Sequence, residues 1–410
     1  MKIIVILPTY NERANIQKLI PILEGEVFPK IRNHDMHILV VDDNSPDGTK
    51  DEVRKFIQKW SNIELLLGNK EGLGAAYVRG MHYAMDKMKG EAVIEFDSDF
   101  QHDPNDIPGL IAAMDKGADY VIGSRYVEGG AIPKEWGLHR KIISRFGGLF
   151  AQIVLWTWSV HDMTSGFKLT KTSFLRKVDL DHLYSKYYAY KLHILHDVML
   201  QKPRVAEVPI IFYERKEGSS KITRKDLFDS FWVVIRLRIR DSKRVIKFLF
   251  VGGTGFIVQV ITQETTIRLG ISLFFTNILV NLNIVKDIVS VSHSIGAGFG
   301  AEFAIISNFL FNNFWTFNDT RRLKEKSNFF VRAIKFNLAS LGAILIQSGA
   351  VFVAEKTLGE RIMLFSQPFP TRIVVLIPTI ILFVIPLNYF IYNFVIWKTQ
   401  YLKNKKVAQA

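Results

Sequence analysis

AVIEFDSDFQH, residues 92–102, sets a strand-length apolar run directly against two carboxylates one residue apart. Side chains alternate along an extended backbone, so Asp97 and Asp99 at such an end can turn to one side, and Gln101 adds an oxygen. The same grammar recurs on both sides of this stretch. The apolar run 2–7 leads into Pro8-Thr9-Tyr10-Asn11-Glu12, the run 37–41 into Asp42-Asp43-Asn44-Ser45-Pro46-Asp47-Gly48-Thr49, and the run 120–123 into Ser124-Arg125. Residues 63–67 form a further strand candidate, and helix-period segments fill the intervals at 15–23, 49–60, 73–88 and 107–116. This rhythm predicts an α/β fold with a mainly parallel, doubly wound sheet, whose ligands bind at the carboxyl ends of the strands.

Polar groups therefore gather on one rim. Asp47 to Thr49 reads as a helix cap, but carboxylates crowded together without a cation repel one another, so the clusters taken jointly point to a bound ion. An all-oxygen set suits Mg²⁺ or Mn²⁺ bridging phosphates and argues against zinc. The Gly72-Leu73-Gly74 turn does not continue into a dinucleotide fingerprint, because Tyr77 stands where the third glycine belongs. With no cysteine in 410 residues, disulfides, thiolate metal sites and a cysteine nucleophile are all excluded. The formal net charge is +14, and much of the excess flanks apolar stretches, as at Arg236, Arg238, Arg240, Lys243, Arg244 and Lys247. That placement favours anionic lipid headgroups over nucleic acid.

The second half of the chain has a different character. Four apolar spans are expected at about 246–268, 288–311, 330–354 and 373–397, each near the roughly 20 residues that cross a bilayer. Lys and Arg cluster before the first span, between the second and third, and after the fourth, so the positive-inside rule places both termini and the N-terminal half in the cytoplasm. The amino terminus is too short an apolar run for a signal peptide and reads as a buried strand. An internal repeat pairs Lys247-Phe248 and Gln259 with Lys335-Phe336 and Gln347, and the stretch from Asn308-Phe309 to Trp315 with that from Asn388-Tyr389 to Trp397, implying two helical hairpins. Glu302 and His293 fall inside the second span, where ionisable groups either serve a function or pair the hairpins. Basic residues beside aromatic ones at 139–158 and 225–240 suit a helix lying along a membrane surface, or else a helix pair packed on the sheet.

PTYNE, DDNSPDGT, Asp97-Ser98-Asp99-Phe100-Gln101-His102, Gly123-Ser124-Arg125 and Thr164-Ser165-Gly166-Phe167 together resemble glycosyltransferase family two, and more narrowly the dolichol-phosphate mannose synthases. The membrane half resembles a small four-helix family found with lipid-linked sugar transfer. The resemblance implies a glycosyltransferase-A domain over 1–228, including the surface helix 139–158. An amphipathic linker at 229–245, a four-helix membrane domain at 246–398 and a basic tail at 399–410 would follow. It further implies transfer of mannose from GDP-mannose to dolichyl or another polyprenyl phosphate with inversion, at the cytoplasmic side of a membrane. Pro8, Tyr10, Glu12 and Asp43 match donor base and ribose positions, and Asp97, Asp99 and Gln101 match metal and diphosphate positions, for Mg²⁺ or Mn²⁺. Arg125, Arg140, Ser144 and Arg215 would hold the acceptor phosphate, and Lys221 would close over the donor phosphates. Asp162 is at most a sugar contact, and Asp197 is expected to be an ordinary surface residue.

A phosphate monoester with second pKa near about 6 is already largely dianionic at neutral pH, so no general base is required. Relatives that act on hydroxyl groups carry an acidic pair where this chain has Lys191-Leu192-His193 and His196-Asp197, which disfavours a hydroxyl acceptor. A UDP-glucose donor fits the same motifs, and a lipid-linked sugar translocator with a nucleotide-sensing half is a reading from another class. A processive synthase is disfavoured, because the chain has no Arg-Trp pair.

Overall fold

The structure, a computed structural model, describes residues 1–214, 224–282, 284, 288–318, 328–359, 361–364 and 367–397. Two compact units divide the chain, Met1–Arg240 and Asp241–Ala410.

The first unit is built on seven strands: β1 (Lys2–Thr9), β2 (Asp35–Asp42), β3 (Ile63–Leu67), β4 (Ala92–Glu95), β5 (Tyr120–Ser124), β6 (Lys168–Lys171) and β7 (Val205–Pro209). Their order is β3-β2-β1-β4-β6-β5-β7, and every pairing is parallel except those of β6 with β4 and β5. Central strands covered on both faces must be apolar throughout, and Ile3 to Leu7 of β1 are fully buried. On one face Ile3, Val5 and Leu7 pack with α1 (Arg13–Ile22), α2 (Thr49–Lys59) and α4 (Ile107–Asp115). On the other, Ile4 and Ile6 pack with α3 (Leu73–Asp86), α5 (Leu138–Leu155), α6 (Thr172–Leu175) and α7 (Tyr190–Met199). The five expected strands and four expected helices are present; β6 and β7 are additional.

Gly72 and Gly74 have structural reasons. Gly72 opens α3 at φ +119, and a Cβ on Gly74 would lie 2.9 Å from the carbonyl oxygens of both Lys186 and Tyr187, so only glycine lets that segment press against the helix.

α8 (Arg224–Arg268) begins on the first unit, burying Val233, Val234 and Leu237 in the cluster that holds α5 and α7. Residues 229–245, read from sequence as a linker, are continuous helix. Asp197 is not an ordinary surface residue: its carboxylate pairs with Arg240 and lies 3.4 Å from His193 Nε2, with its side chain 15% exposed. Burial pushes the Asp197 carboxyl up, but hydrogen bonds to His193 and Arg240 outweigh it and hold the pKa at about 2, below the usual 3.8. The pairing therefore stabilises fully above about pH 4 and is lost as pH falls through about 2. Asp197→Asn should lower the unfolding midpoint at pH 7, and the difference from the parent protein should vanish as pH falls through about 2, as followed by circular dichroism.

α5 and the start of α8 are a packed pair with a second, outward face. Phe150 stacks on Phe231 with ring centroids 5.1 Å apart, while Phe146, Trp156, Trp158 and Phe228 are exposed. Of the two sequence alternatives for this region, the packed helix pair is the one observed.

In the second unit follow α9 (Ile271–Asn281), α10 (Ile288–Phe311), α11 (Phe329–Leu358), the hairpin β8 (Arg361–Leu364) with β9 (Gln367–Pro370), α12 (Thr371–Thr379) and α13 (Ile385–Ile391). Among the described residues, Lys225–Arg268, Phe329–Ile346 and Ile377–Ile396 are long and apolar enough to cross a membrane, and α10 spans 24 residues at the second expected position. The short helix α9 and the β8–β9 hairpin were not anticipated. The repeat is visible as two π-helical stretches, Asn312–Thr316 and Tyr392–Ile396. They align Phe317, rather than Trp315, with Trp397, and those two rings lie flat on each other at 4.3 Å and 4°. Phe248, Phe309, Phe336, Tyr392 and Ile396 complete this cluster. Glu302 accepts from Asn337 Nδ2 at 3.4 Å, a tie between α10 and α11 that favours the pairing reading; the His293 and Gln347 side chains and the tail 399–410 lie outside the described residues.

Candidate active site

The rim loops are shaped by hydrogen bonds that side chains make to their neighbours. Asp42 ends β2 and accepts from Thr9 Oγ1 at 2.9 Å, the Ser45 amide at 3.0 Å and Ser45 Oγ at 2.5 Å, while Ser45 Oγ accepts from the Asn11 amide at 2.9 Å. The loops after β1 and β2 are thereby bound into one wall. Asp47 accepts from the Thr49 amide and hydroxyl at the start of α2, the capping role its position suggested.

Along this wall lie the expected donor residues. Pro8 is buried and its carbonyl accepts from Ser98 Oγ at 3.1 Å, which joins the β1 loop to the acidic one. Tyr10 carries Lys70 Nζ 3.5 Å from its ring centroid. Glu12 is buried and accepts from Asn15 Nδ2 at 2.7 Å. Asp43 is 7% exposed and paired to Arg79, a residue the sequence reading missed because it comes from the middle of α3. Burial pushes the Asp43 carboxyl up, and the guanidinium only partly offsets that.

Asp97, Asp99 and Gln101 follow β4, whose neighbour β1 delivers Pro8 and Tyr10. Tyr77, fully buried on α3, donates to Asp97 Oδ1 at 2.8 Å, which fixes the carboxylate and leaves Oδ2 for another partner. Asp99 Oδ1 accepts from the Gln101 amide at 3.2 Å across a tight turn in which Phe100 takes φ +59. A bulky residue in that region is strained, and such strain concentrates at functional loops. Gln101 donates weakly to the Tyr213 carbonyl at 3.4 Å, while its own carbonyl accepts from the Tyr213 amide at 2.9 Å. Behind them Glu95 and Lys168 face each other across β4 and β6, both fully buried, and burial pushes the Lys168 pKa down to about 8. His102 lies among Phe96, Phe167 and Phe212, and burial pushes its pKa down to about 3, so it is neutral at physiological pH. Among the described residues no group of three or more His, Cys, Asp or Glu is placed to hold a metal by itself.

On the β5 side Arg125 is held by partners within the protein. Its Nε and Nη2 each donate to Asp162 at 2.7 Å, its amide donates to the same carboxylate at 3.1 Å, and Nη2 also reaches Thr164 Oγ1 at 2.8 Å. Nε and Nη2 of the guanidinium are thus engaged within the protein. Asp162 was expected at most to touch the sugar; it is completely buried, and Arg125 outweighs the upward push of burial and holds it below the usual carboxylate range. Among the described residues Nη1 of Arg125 has no partner, so one face of the cation can serve an incoming anion. Ser144 shares a 2.6 Å hydrogen bond with Tyr126, next in sequence to Arg125, and Arg145 lies 5.0 Å from the Tyr126 ring. Arg140 covers the Trp136 ring at 4.0 Å. Arg125, Ser144 and Arg145 are thus linked through Tyr126. Arg215 and Lys221 lie outside the described residues.

Residues 4–179 match glycosyl transferase family 2, and residues 247–397 match the GtrA/DPMS transmembrane domain. A dolichol-phosphate mannosyltransferase from Pyrococcus furiosus is 31% identical over 84% of this chain and 88% of its own. A polyprenol monophosphomannose synthase from Mycolicibacterium smegmatis is 35% identical over 58% of this chain and 87% of its own. An undecaprenyl-phosphate mannosyltransferase from Micrococcus luteus is 36% identical over 54% of this chain and 88% of its own. The chain is a membrane-bound glycosyltransferase. It belongs to glycosyl transferase family 2, in the group of dolichol-phosphate and polyprenol-phosphate mannosyltransferases.

Proposed function

We propose that the chain transfers mannose from GDP-mannose to dolichyl or another polyprenyl phosphate, with inversion and with a divalent metal, on the cytoplasmic side of a multi-pass membrane anchor. The observation that carries this reading is the order of groups along one rim: Tyr10, Glu12 and Asp43 at β1 and β2, Asp97 and Asp99 at β4, Arg125 at β5. That order suits a nucleoside, a diphosphate and an anionic acceptor in sequence.

Asp97, Asp99 and Gln101 would hold Mg²⁺ or Mn²⁺; an all-oxygen set of two carboxylates fits an ion completed by the donor's own phosphate oxygens. Bound there, the metal would offset charge gathering on the departing diphosphate. The protein groups do the positioning. Tyr77 fixes one oxygen of Asp97, Arg79 sets Asp43, and Nη1 of Arg125, with Arg140, Ser144 and Arg215, orients the acceptor oxygen for in-line attack. The acceptor phosphate is already ionised, so no proton need be removed in the transfer. The exposed aromatic face of α5 and early α8, with Arg145 and Arg238 beside it, would rest against headgroups and keep the lipid tail in the bilayer.

Purified protein given GDP-mannose or UDP-glucose, polyprenyl phosphate and Mn²⁺ should form product from GDP-mannose alone, and a chelator should abolish it. Product from UDP-glucose only would overturn the donor, and undiminished turnover in chelator would overturn the metal. Tyr77→Phe keeps the buried ring and removes one hydrogen bond to a charged group, worth about 1.5–3 kcal/mol. Half-activation should then require at least about tenfold more Mn²⁺, measured by metal titration of initial rates.

A further inference from the structure

β6 lies between β4 and β5 and runs antiparallel to both, so its beginning, at Gly166 and Phe167, reaches the rim where those two strands end. A hexose bonded to a diphosphate at β4 and attacked from β5 has to occupy that middle position. Lys191, on α7, points there. A Cβ placed on Gly166 would lie 2.8 Å from Lys191 Nζ and 3.1 Å from Asp97 Oδ2, so ammonium and carboxylate are within about 6 Å of each other across the space that this glycine leaves open.

The Lys191 side chain is unusual for its type. It is 2% exposed, its Nζ lies 4.2 Å from the Tyr188 ring and 6.0 Å from the Tyr190 ring, and among the described residues Nζ has no hydrogen-bond acceptor. An ammonium carries three donors; with the stem enclosed and no acceptor within the described residues, those donors are offered to acceptor atoms supplied from outside the protein. The aromatic faces compensate part of the charge and satisfy none of the N–H groups.

We propose that Lys191 is a ligand of the transferred hexose, donating hydrogen bonds to its hydroxyl oxygens and fixing the anomeric carbon between Asp97 and Arg125. This rests on the transferase reading above and adds the sugar-binding residue to it. The nucleoside and metal contacts are made at other strands, so the loss of Lys191 falls on the sugar-bearing donor and leaves the bare nucleotide untouched.

The test uses full-length protein in detergent with Mn²⁺. Lys191→Met, which keeps the apolar stem, should lower kcat/KM for the nucleotide-sugar by about 10- to 100-fold, with Lys191→Gln between it and the parent. Equilibrium affinity for GDP with Mn²⁺, measured by calorimetry, should stay within about twofold of the parent's in both variants. A loss of kcat/KM smaller than about fivefold overturns the proposal, as does a parallel fall in GDP affinity, which would mean that Lys191 acts through Asp97 or the diphosphate. If Lys191→Met does not fold, Lys191→Gln alone decides by the same two measurements. Absence of transfer by the parent protein would sink the underlying reading before any variant is compared.

Discussion

Replacing Asp97 by asparagine should lower kcat/KM for mannosyl transfer by at least about 10³-fold while leaving the fold intact. The side chain sits at the end of β4, one oxygen held by Tyr77 and the other turned towards Gly166. Asparagine has the same shape and can still meet the Tyr77 hydroxyl, so the sheet and α3 have no reason to move. What disappears is the charge that a divalent cation needs, and with it the counterweight to the negative charge that builds on the leaving group. Steady-state rates across a Mn²⁺ series, together with the thermal midpoint, check this. A variant retaining more than about a tenth of parental kcat/KM at saturating metal would show that Asp97 is no ligand.

Removing the charge of Asp162 should have the largest effect on stability. Arg125 is 7% exposed, and two of its nitrogens are spent on this carboxylate, which itself has no exposed surface. Burial alone pushes the guanidinium pKa down, and Asp162 more than reverses that. In Asp162→Asn the guanidinium stays charged and buried with no counter-charge, a change that typically costs about 3–5 kcal/mol. Denaturant unfolding of the full chain should show a loss of that order, and the transfer rate should fall because Arg125 no longer has a fixed direction. A loss under about 1 kcal/mol would mean that water reaches the pair and that the geometry around β5 is looser than described.

The sequence made the rim legible because each of its loops follows an apolar run, and an apolar run next to Asp, Asn and Pro is read locally. It did not reveal β6 or β7. Lys168-Leu169-Thr170-Lys171 holds a single apolar residue, and Val205-Ala206-Glu207-Val208-Pro209 is interrupted by Glu207; both are strands because the neighbouring edge recruits them. Partners from distant elements were equally hidden. Tyr77 sits 20 residues from Asp97, Arg125 is 37 residues from Asp162, and Asp197 is 43 from Arg240. Spacing along the chain carries no trace of such pairs. Lys191 was visible only as a departure from an acidic pattern, and its surroundings became readable once β6 was known to run backwards.

The flat stack of Phe317 on Trp397 limits how the membrane unit can respond to its surroundings. Each ring follows a π-helical turn at the end of its hairpin, and the stack is one of several places where the two hairpins meet, Phe309 on Phe336 being another. Sliding one hairpin along the other by a single residue would part the rings and break the tie between Glu302 and Asn337. In a thicker or thinner bilayer the bundle should therefore accommodate by tilting as a block, or by deforming the lipid, rather than by shear between its halves.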